Sequence, residues 1–263
     1  MAALPIYENR FLDKFSLKGR TVVITGGGRG LGLTFANGLA QAGANIAVID
    51  IAAQPSEAFS SLTYGGQYLY YQADVTNYEG LGKVITQISK DFGGIYGCIA
   101  AAGVHVDKPF LDHTPKDLDV NLNVNVKGVF YTVQHCARQM KEQSTGGSIV
   151  AIASIAAYKA PAAHSIAAYT ASKYAVRGFM GQIAKELAQY QIRVNTVSPG
   201  CMQTELLQMV LDEHPERLPL FAGTCALNRI GQPQELCGML LYLMSDLASF
   251  TVGQDFIVDG SSV

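Results

Sequence analysis

The feature that most constrains the fold is a regular alternation of short β-branched runs with longer segments of helical periodicity. Strands are predicted at Thr21–Thr25, Asn45–Asp50, Gln67–Gln72, Tyr96–Ala100, Gly147–Ala153, Arg193–Val197 and Asp255–Val258. Helices are predicted at Leu31–Ala42, Asn77–Phe92, Pro115–Met140, Ala167–Tyr190 and Pro233–Met244. Strands that alternate with helices form a parallel sheet covered on both faces. The sequence therefore predicts an α/β fold with one doubly wound, seven-stranded parallel sheet.

The chain of 263 residues contains no internal repeat and no Ser/Pro-rich linker, so we expect a single domain. Residues 1–18 are predicted to be an N-terminal leader and residues 19–263 the folded domain. Residues 201–230 differ, because apolar residues are mixed there with Pro215 and Pro219 in a long excursion beyond a strand end. Such excursions are commonly binding loops. We therefore expect residues 201–230 to form a lid over a binding site.

Composition limits the classes of partner. The formal net charge is −2 and only 15% of the residues are charged, which argues against binding to nucleic acid or to an anionic membrane. The first ten residues include Glu8, Asn9 and Arg10 where a secretory signal needs an apolar stretch, so a cytoplasmic protein is expected. The five cysteines form no CxxC pair and the five histidines no zinc spacing, which predicts reduced thiols and no bound metal. An organic cofactor and a small-molecule substrate remain.

A glycine-rich turn follows the first predicted strand. It does not fit the strict GxGxxG pattern, but it fits TGxxxGxG on Thr25, Gly26, Gly30 and Gly32. Glycines permit positive φ and let backbone amides approach a diphosphate at the N-terminus of the following helix. A lone motif of this kind can equally be an ordinary strand-to-helix turn. Its place between a strand and a helix favours a Rossmann-type dinucleotide site.

Two aspartates at strand ends strengthen this interpretation. Asp50 closes the second predicted strand at about the spacing at which a carboxylate binds the adenosine ribose. Asp74 follows the third strand, where a side chain can reach the adenine edge. Either residue alone is more typical of a helix N-cap or an exposed loop charge. Together with the glycine turn, we interpret both as dinucleotide ligands.

Tyr169 and Lys173 are four positions apart on one predicted helix and therefore project from the same face. A phenol with a pKa of about 10 is a poor acid or base at neutral pH, but a nearby ammonium favours its ionised form. Ser154 follows a predicted strand at the carboxyl edge of the sheet, where its hydroxyl could hold a carbonyl oxygen. A YxxxK pattern by itself usually marks a Tyr and a Lys on the surface of a helix. It indicates a catalytic pair here because the glycine turn is present in the same chain.

Several segments together resemble the single-domain subgroup of the short-chain dehydrogenase/reductase family. The segments that carry the resemblance are Thr25–Gly32, Asp74-Val75, Val124–Gly128, Ser154, Tyr169–Lys173, Arg193–Gly200 and Val258–Gly260. In finer detail, the segment Leu12–Gly19 and the interval of 15 positions from Ser154 to Tyr169 resemble the fungal mannitol dehydrogenase-like and sorbose reductase-like branch.

The resemblance implies an NAD(P)(H)-dependent oxidoreductase that interconverts a secondary alcohol and a ketone. Tyr169 would be the general acid/base, Lys173 would lower the Tyr169 pKa and bind the nicotinamide ribose, Ser154 would polarise the substrate oxygen, and Asn125 would support a water in the proton relay. The implied cofactor-binding residues are Gly26, Arg29, Gly30, Leu31, Asp50, Asp74, Val75, Ala101, Gly103, Tyr169, Lys173, Pro199, Gly200, Met202 and Thr204. The expected substrate residues are Ser154, His105, Tyr158, His164 and Leu206.

Ala101 departs from the family pattern, in which an asparagine normally braces the central strands. We expect the fold to survive this change with some loss of stability or local order. The departure is also the only support for an alternative, a nucleotide-binding scaffold without turnover. A further alternative is a non-redox biosynthetic step on the same fold.

The choice of nicotinamide stays open between two residues. Asp50 favours NAD(H), because a ribose 2′-phosphate would lie against its carboxylate. Arg29 makes NADP(H) possible, because its guanidinium could meet that phosphate, although it could also simply pair with Asp50. The substrate is either a polyol or ketose or a larger secondary-metabolite carbonyl. Family precedent suggests a homotetramer or homodimer formed through the helices Pro115–Met140 and Ala167–Tyr190.

Overall fold

The computed structural model describes residues 11–160 and 165–263. In these ranges the chain forms one sheet of seven parallel strands. The strands are β1 (Thr21–Thr25), β2 (Asn45–Asp50), β3 (Tyr68–Gln72), β4 (Gly97–Ala100), β5 (Gly147–Ile152), β6 (Ile192–Pro199) and β7 (Asp255–Val258). Their order across the sheet is β3-β2-β1-β4-β5-β6-β7. The predicted doubly wound, seven-stranded parallel sheet is therefore confirmed.

Helices connect the strands. The α-helices are α1 (Gly30–Gln41), α2 (Glu57–Ser60), α3 (Tyr78–Phe92), α4 (Pro115–Asn121), α5 (Val129–Gln143), α6 (Ala167–Leu187), α7 (Glu205–Glu213), α8 (Leu218–Ala222) and α9 (Cys237–Met244). Short 3₁₀ segments lie at Phe11–Phe15, Phe110–Asp112, Ile155–Ala157, Ala188–Tyr190, Pro215–Arg217, Pro233–Leu236 and Asp246–Ala248. No helix within the described ranges is both long and apolar enough to cross a membrane.

The prediction of one continuous α-helix over Pro115–Met140 is wrong in detail. A π-helical segment at Leu122–Gly128 separates α4 from α5. A π-helical turn is wider than an α-helical turn, and such turns are frequent at functional sites. Asn125 lies in this segment and is fully buried. The apolar spacing over Pro115–Met140 reads as a single helix and does not by itself reveal the widened turn.

The core consists of two apolar clusters, one on each face of the sheet. Alternate residues of β1 contribute to different clusters, since Val23 belongs to one and Val22 and Ile24 to the other. All five β1 residues are buried, as expected for a strand covered on both faces. Leu17 is also completely buried in the second cluster, and its N–H donates to the Ala42 carbonyl at 3.0 Å. The last part of the predicted leader is thus packed on the folded domain.

The strand order places a crevice at the carboxyl end of the sheet. From β1 the chain proceeds outward through β2 and β3, and then returns to the other side of β1 to form β4. The crevice outside the carboxyl ends of the strands at such a reversal is where open α/β sheets bind ligands. The glycine turn follows β1 at this point, and the Ser154 segment follows β5 at the same edge.

Candidate active site

The glycine turn between β1 and α1 is closely packed on one side and open on the other. A Cβ atom on Gly32 would lie 2.1 Å from the Gly26 carbonyl oxygen, and one on Gly26 would lie 2.7 Å from the Ala102 Cα. Gly30 has φ +55°, and a Cβ there would have no neighbour within 4 Å. The turn therefore has the shape of a cradle with free space at the N-terminus of α1. This geometry fits a dinucleotide diphosphate, which backbone amides and the helix dipole would stabilise.

Asp50 is bound to this turn through its side chain. Its Oδ2 accepts the Gly28 N–H at 2.8 Å, and its Oδ1 accepts the Ala52 N–H at 3.2 Å. Arg29 precedes α1 in an extended conformation and is exposed. Among the ion pairs of residues 11–160 and 165–263, none joins Arg29 to Asp50. The alternative that Arg29 is there simply to neutralise Asp50 thus finds no support.

Three further residues predicted to bind the cofactor, Asp74, Val75 and Leu31, differ in how deeply they are buried. Asp74 is exposed, and its Oδ1 accepts both the Thr76 N–H and the Thr76 hydroxyl at 2.8 Å. Val75 is buried, and its side chain fills the space beside Gly128. Leu31 is half-buried against the second core cluster. Asp74 therefore has a local structural role in closing a turn, and it lies at the end of β3 as predicted.

Ala101 does not interrupt the central strands. The pairing of β1 with β4 continues to Thr25 and Ala100, and β4 pairs with β5 over its whole length. Immediately beyond, the Ala102 N–H donates to the Thr25 hydroxyl at 3.4 Å. The backbone thus connects these strands without the amide that family members carry at position 101. Gly103 follows beside Asn125 and Lys173, since a Cβ on Gly103 would lie 3.3 Å from Asn125 Oδ1 and 3.7 Å from Lys173 Nζ.

Ser154, Tyr169 and Lys173 come together at the carboxyl end of β5. The Ser154 side chain lies close enough to Tyr169 to lower the pKa of its phenol. Ser154 Oγ also accepts the Ala156 N–H at 3.1 Å, which fixes its position. Lys173 Nζ donates to the Ile152 carbonyl at 2.8 Å and lies 5.5 Å from the centre of the Tyr169 ring. The structure therefore brings Ser154, which follows β5, next to Tyr169 and Lys173 of α6, as the sequence predicted.

Burial affects the pKa values of both titratable groups in this cluster. Burial raises the pKa of Tyr169 above its ordinary value, and the hydrogen bond with Ser154 partly offsets that rise. Burial lowers the pKa of Lys173 to about 8, because the ammonium loses hydration. Without a dinucleotide, Tyr169 is thus a neutral phenol at pH 7, which carries the proton that reduction requires. A positive charge placed nearby would favour its phenolate.

Asn125 is a positioning residue in this structure. Its Oδ1 accepts the Val104 N–H at 2.8 Å, and its Nδ2 donates to the Val104 carbonyl at 2.8 Å and to Ser172 Oγ at 2.9 Å. Ser172 in turn donates to the Tyr169 carbonyl at 2.6 Å. Asn125 therefore connects the loop after β4 to the first turns of α6. A water-supporting role for Asn125 stays a prediction.

The predicted substrate residues are only partly assembled. The His105 ring meets the Tyr169 ring edge to face, with centroids 5.9 Å apart. The Tyr158 hydroxyl donates to Asp255 on β7 at 2.7 Å, and the Tyr158 ring lies 3.9 Å below the Arg177 guanidinium. Tyr158 is thus engaged with α6 and β7, which gives it a structural role. His164 and the side chain of Leu206 lie outside the described residues.

The segment after β6 leads into residues 201–230, the predicted lid. Gly200 packs against the Asp259 backbone, and its N–H donates to the Val258 carbonyl at 2.9 Å. Pro199 ends β6, and Met202 is buried in a bridge with Gly231. Thr204 Oγ1 accepts the Leu207 N–H at 3.3 Å at the start of α7. These residues lie at or beyond the carboxyl end of β6, the same edge of the sheet at which the glycine turn follows β1.

Sequence reasoning missed a junction centred on Asp107. Asp107 Oδ1 accepts the Ser165 N–H at 2.8 Å, and Asp107 Oδ2 lies 4.0 Å from Arg217 NH1 in the lid. The Lys108 N–H donates to the Ser165 carbonyl at 2.9 Å. No motif surrounds Asp107, so only its position in space reveals it. Across the described part of the chain, no three His, Cys, Asp or Glu side chains are grouped as metal ligands.

A parallel sheet with a glycine cradle at its point of reversal, and a Ser/Tyr/Lys cluster beside it, is the architecture of a dinucleotide-dependent enzyme. The family model described as Enoyl-(Acyl carrier protein) reductase matches residues 26–261. The 2-dehydro-3-deoxy-D-gluconate 5-dehydrogenase of Escherichia coli is 33% identical over 95% of this chain and 97% of its own length. The "Probable NADP-dependent mannitol dehydrogenase" of Yarrowia lipolytica is 34% identical over 98% of this chain and 92% of its own length.

Solved structures agree with these sequence relatives. A short-chain type dehydrogenase/reductase from Mycobacterium marinum superposes with a TM-score of 0.88 at 35% identity, covering 96% of this chain and 98% of its own. The chain therefore belongs to the short-chain dehydrogenase/reductase family, as the sequence motifs indicated. It is an NAD(P)-dependent oxidoreductase that acts on CH–OH or C=O groups.

Proposed function

We propose that this enzyme interconverts a secondary alcohol and a ketone, with Tyr169 as the general acid/base. The observation that carries the proposal is the grouping of Tyr169 and Ser154 beside the buried Lys173, whose Nζ lies 5.5 Å from the centre of the Tyr169 ring. A substrate oxygen placed between the two hydroxyls would accept a hydrogen bond from each. In the reductive direction Tyr169 would then donate its proton to the developing alkoxide.

The dinucleotide would be held by the glycine cradle, by Asp50 at the adenosine ribose and by Lys173 at the nicotinamide ribose. When bound, it supplies or accepts the hydride at its nicotinamide ring. In the oxidative direction the ring is positively charged, and its charge together with the Lys173 ammonium would lower the Tyr169 pKa. The raised Tyr169 pKa of the free chain is consistent with this assignment, because the activating charge arrives with the dinucleotide.

The deciding experiment is an absorbance assay at the reduced-nicotinamide band with both cofactors against polyols, ketoses and aromatic ketones. Tyr169→Phe should reduce kcat by about 10²- to 10⁴-fold, the usual contribution of a general acid/base. Tyr174→Phe is the matched control, because Tyr174 lies on the same helix but is 46% exposed. Turnover that persists in Tyr169→Phe would refute the proposed acid/base. Product formation without nicotinamide oxidation would indicate the non-redox alternative.

We propose NAD(H) as the preferred cofactor, with NADP(H) accepted through Arg29. Both Asp50 oxygens already accept backbone N–H groups, so the carboxylate is fixed where a 2′-phosphate would meet it. Two observations favour NADP(H) instead. Arg29 is exposed and could meet a 2′-phosphate, and the name of the Yarrowia lipolytica relative specifies NADP. NADH should exceed NADPH in kcat/KM, and Asp50→Ala should narrow the difference. A clear NADPH preference in the native enzyme would contradict this proposal.

We propose a polyol or ketose as the substrate. The support is that several relatives have names that refer to a deoxygluconate derivative, mannitol and L-rhamnose, although others are named for acetoacetyl-CoA and a chlorinated cyclohexadienediol. We also propose association into a dimer or tetramer through α5 and α6. Phe130 on α5 is 40% exposed and contacts Phe179 on α6, with ring centroids 5.7 Å apart, so the two helices share an apolar surface.

A further inference from the structure

Asp107 lies in the loop after β4, between the residue clamped by Asn125 and the start of α4. Two residues before it, His105 contacts the Tyr169 ring. Asn125 holds Val104 through both of its backbone polar groups. The loop is therefore fixed at its beginning by the core of the protein, and its conformation determines what lies against the acid/base.

The same loop is fixed at its end through Ser165. The Ser165 N–H donates to Asp107 Oδ1 at 2.8 Å, and the Ser165 carbonyl accepts the Lys108 N–H at 2.9 Å. Ser165 precedes Tyr169 by four residues, so this reciprocal pair connects the loop to the approach of α6. Lys108 is itself held by an ion pair of 2.8 Å with Asp117 on α4.

The second oxygen of Asp107 faces the lid. Arg217 NH1 lies 4.0 Å from Asp107 Oδ2, and both side chains are partly exposed. Among the described side chains of the lid, Leu211, Phe221 and Ile230 form a small apolar cluster. Large apolar side chains such as Leu218 and Leu220 stay exposed on its surface. The ion pair with Asp107 therefore connects this partly exposed part of the lid to the loop after β4.

We propose that Asp107 is a positioning residue that holds the lid over the substrate and keeps His105 against Tyr169. This inference rests on the proposed function, because it assigns Asp107 a role at the same site. One oxygen orders the approach to the acid/base through its hydrogen bond with the Ser165 N–H. The other oxygen attracts the guanidinium of the lid through its charge, and closure excludes water from the reacting atoms.

The test separates the two roles of the carboxylate. Asp107→Asn keeps an oxygen for the Ser165 N–H but removes the charge that faces Arg217. A part-exposed ion pair of this kind corresponds to a change of about two- to fivefold in an equilibrium. We expect KM to rise by about that factor in Asp107→Asn and in Arg217→Gln, with kcat changed less than KM. The double variant should be no worse than either single variant.

Hydrogen–deuterium exchange provides a readout that does not depend on turnover. With saturating NADH or NADPH, amides of residues 205–222 should exchange about two- to fivefold faster in Asp107→Asn than in the native enzyme. Asp107→Ala, which also removes the Ser165 acceptor, should additionally raise exchange in residues 101–109. Asp246→Asn is the matched control, because it breaks the remote Arg20–Asp246 ion pair of 2.7 Å.

The proposal is overturned if exchange in residues 205–222 and KM are the same in Asp107→Asn as in Asp246→Asn. Should the proposed substrates show no turnover, the exchange measurement still decides whether Asp107 holds the lid. A failure of the proposed function is thereby distinguishable from a failure of this inference. Additive effects of Asp107→Asn and Arg217→Gln would also contradict it, because they would mean that the two side chains act independently.

Discussion

The glycine turn and the lid border the same crevice but are built in opposite ways. In the turn, backbone packs on backbone so closely that a Cβ on Gly32 would lie 2.1 Å from the Gly26 carbonyl oxygen. In the lid, a small apolar cluster around Phe221 lies beneath exposed side chains such as Leu220. Backbone packing therefore fixes the turn, whereas side-chain packing around Phe221 holds the described part of residues 201–230.

Physical requirements explain the difference. A diphosphate and a hydride donor need amides and hydroxyls in fixed positions, because electrostatic stabilisation depends on groups that do not have to reorganise. A lid has to admit substrate and release product, so its contacts have to be breakable.

Gly32→Ala should be the most damaging substitution in the rigid half. The new methyl group would overlap the Gly26 carbonyl oxygen, so the turn has to shift, and we expect a loss of about 3 kcal/mol in the free energy of unfolding. Denaturant unfolding measures this loss. Gly181→Ala on α6 is the control, because a Cβ there meets nothing within 4 Å and alanine favours the helix by about 0.5–1 kcal/mol. Equal stability of the two variants would contradict the conclusion that the glycine turn is closely packed.

Asn125→Ala should cause the next largest loss in the free energy of unfolding. It removes the partners of two Val104 backbone groups and of Ser172 in a buried site, which costs about 2–4 kcal/mol. Asn121 is the matched comparison, since it is equally buried but its Oδ1 has no partner, and only its Nδ2 is bonded, to the Asp117 carbonyl. Chemical denaturation should show a clearly smaller loss for Asn121→Ala. A larger loss at position 121 would mean that the Asn125 clamp is unimportant.

The pH dependence should differ between the two directions of the reaction. Because burial raises the Tyr169 pKa, the protonated phenol that reduction requires is present at neutral pH and is lost only as pH rises. Oxidation requires the phenolate, so its kcat/KM should rise about tenfold per pH unit until Tyr169 ionises. Initial rates between pH 6 and 10 in both directions measure this. An oxidation rate that falls with rising pH across this range would contradict the assignment of Tyr169.

Leu220→Ser should have the smallest effect on stability. Leu220 is 58% exposed on the lid, so the free energy of unfolding should change by less than about 0.5 kcal/mol. Phe221→Ala is the contrasting variant, because Phe221 is buried in the lid cluster. Exchange in residues 201–230 should increase in Phe221→Ala and stay unchanged in Leu220→Ser. If exchange through the core strands increased as strongly, the lid would not be a separate, weakly held segment.

Much of the fold and part of the site could be predicted, because the signals are local. Alternating strand and helix periods predicted the sheet, and the four-residue spacing placed Tyr169 and Lys173 on one face of α6. The π-helical turn around Asn125 could not be predicted from apolar spacing. The role expected for Tyr158 also depended on a partner far along the chain, since its hydroxyl bonds to Asp255.

The sequence by itself determined the doubly wound sheet, the glycine cradle and the tyrosine–lysine pair, because each depends on neighbours within a few positions. Three contacts depend on the tertiary structure. Asp50 accepts a hydrogen bond from the Gly28 N–H instead of pairing with Arg29, and Asn125 holds Val104. Asp107 contacts both Ser165 and Arg217. The physical reason is that these contacts join segments that only packing of the whole sheet brings together. A motif records local geometry, whereas a hydrogen bond across the crevice depends on the position of every strand between its partners.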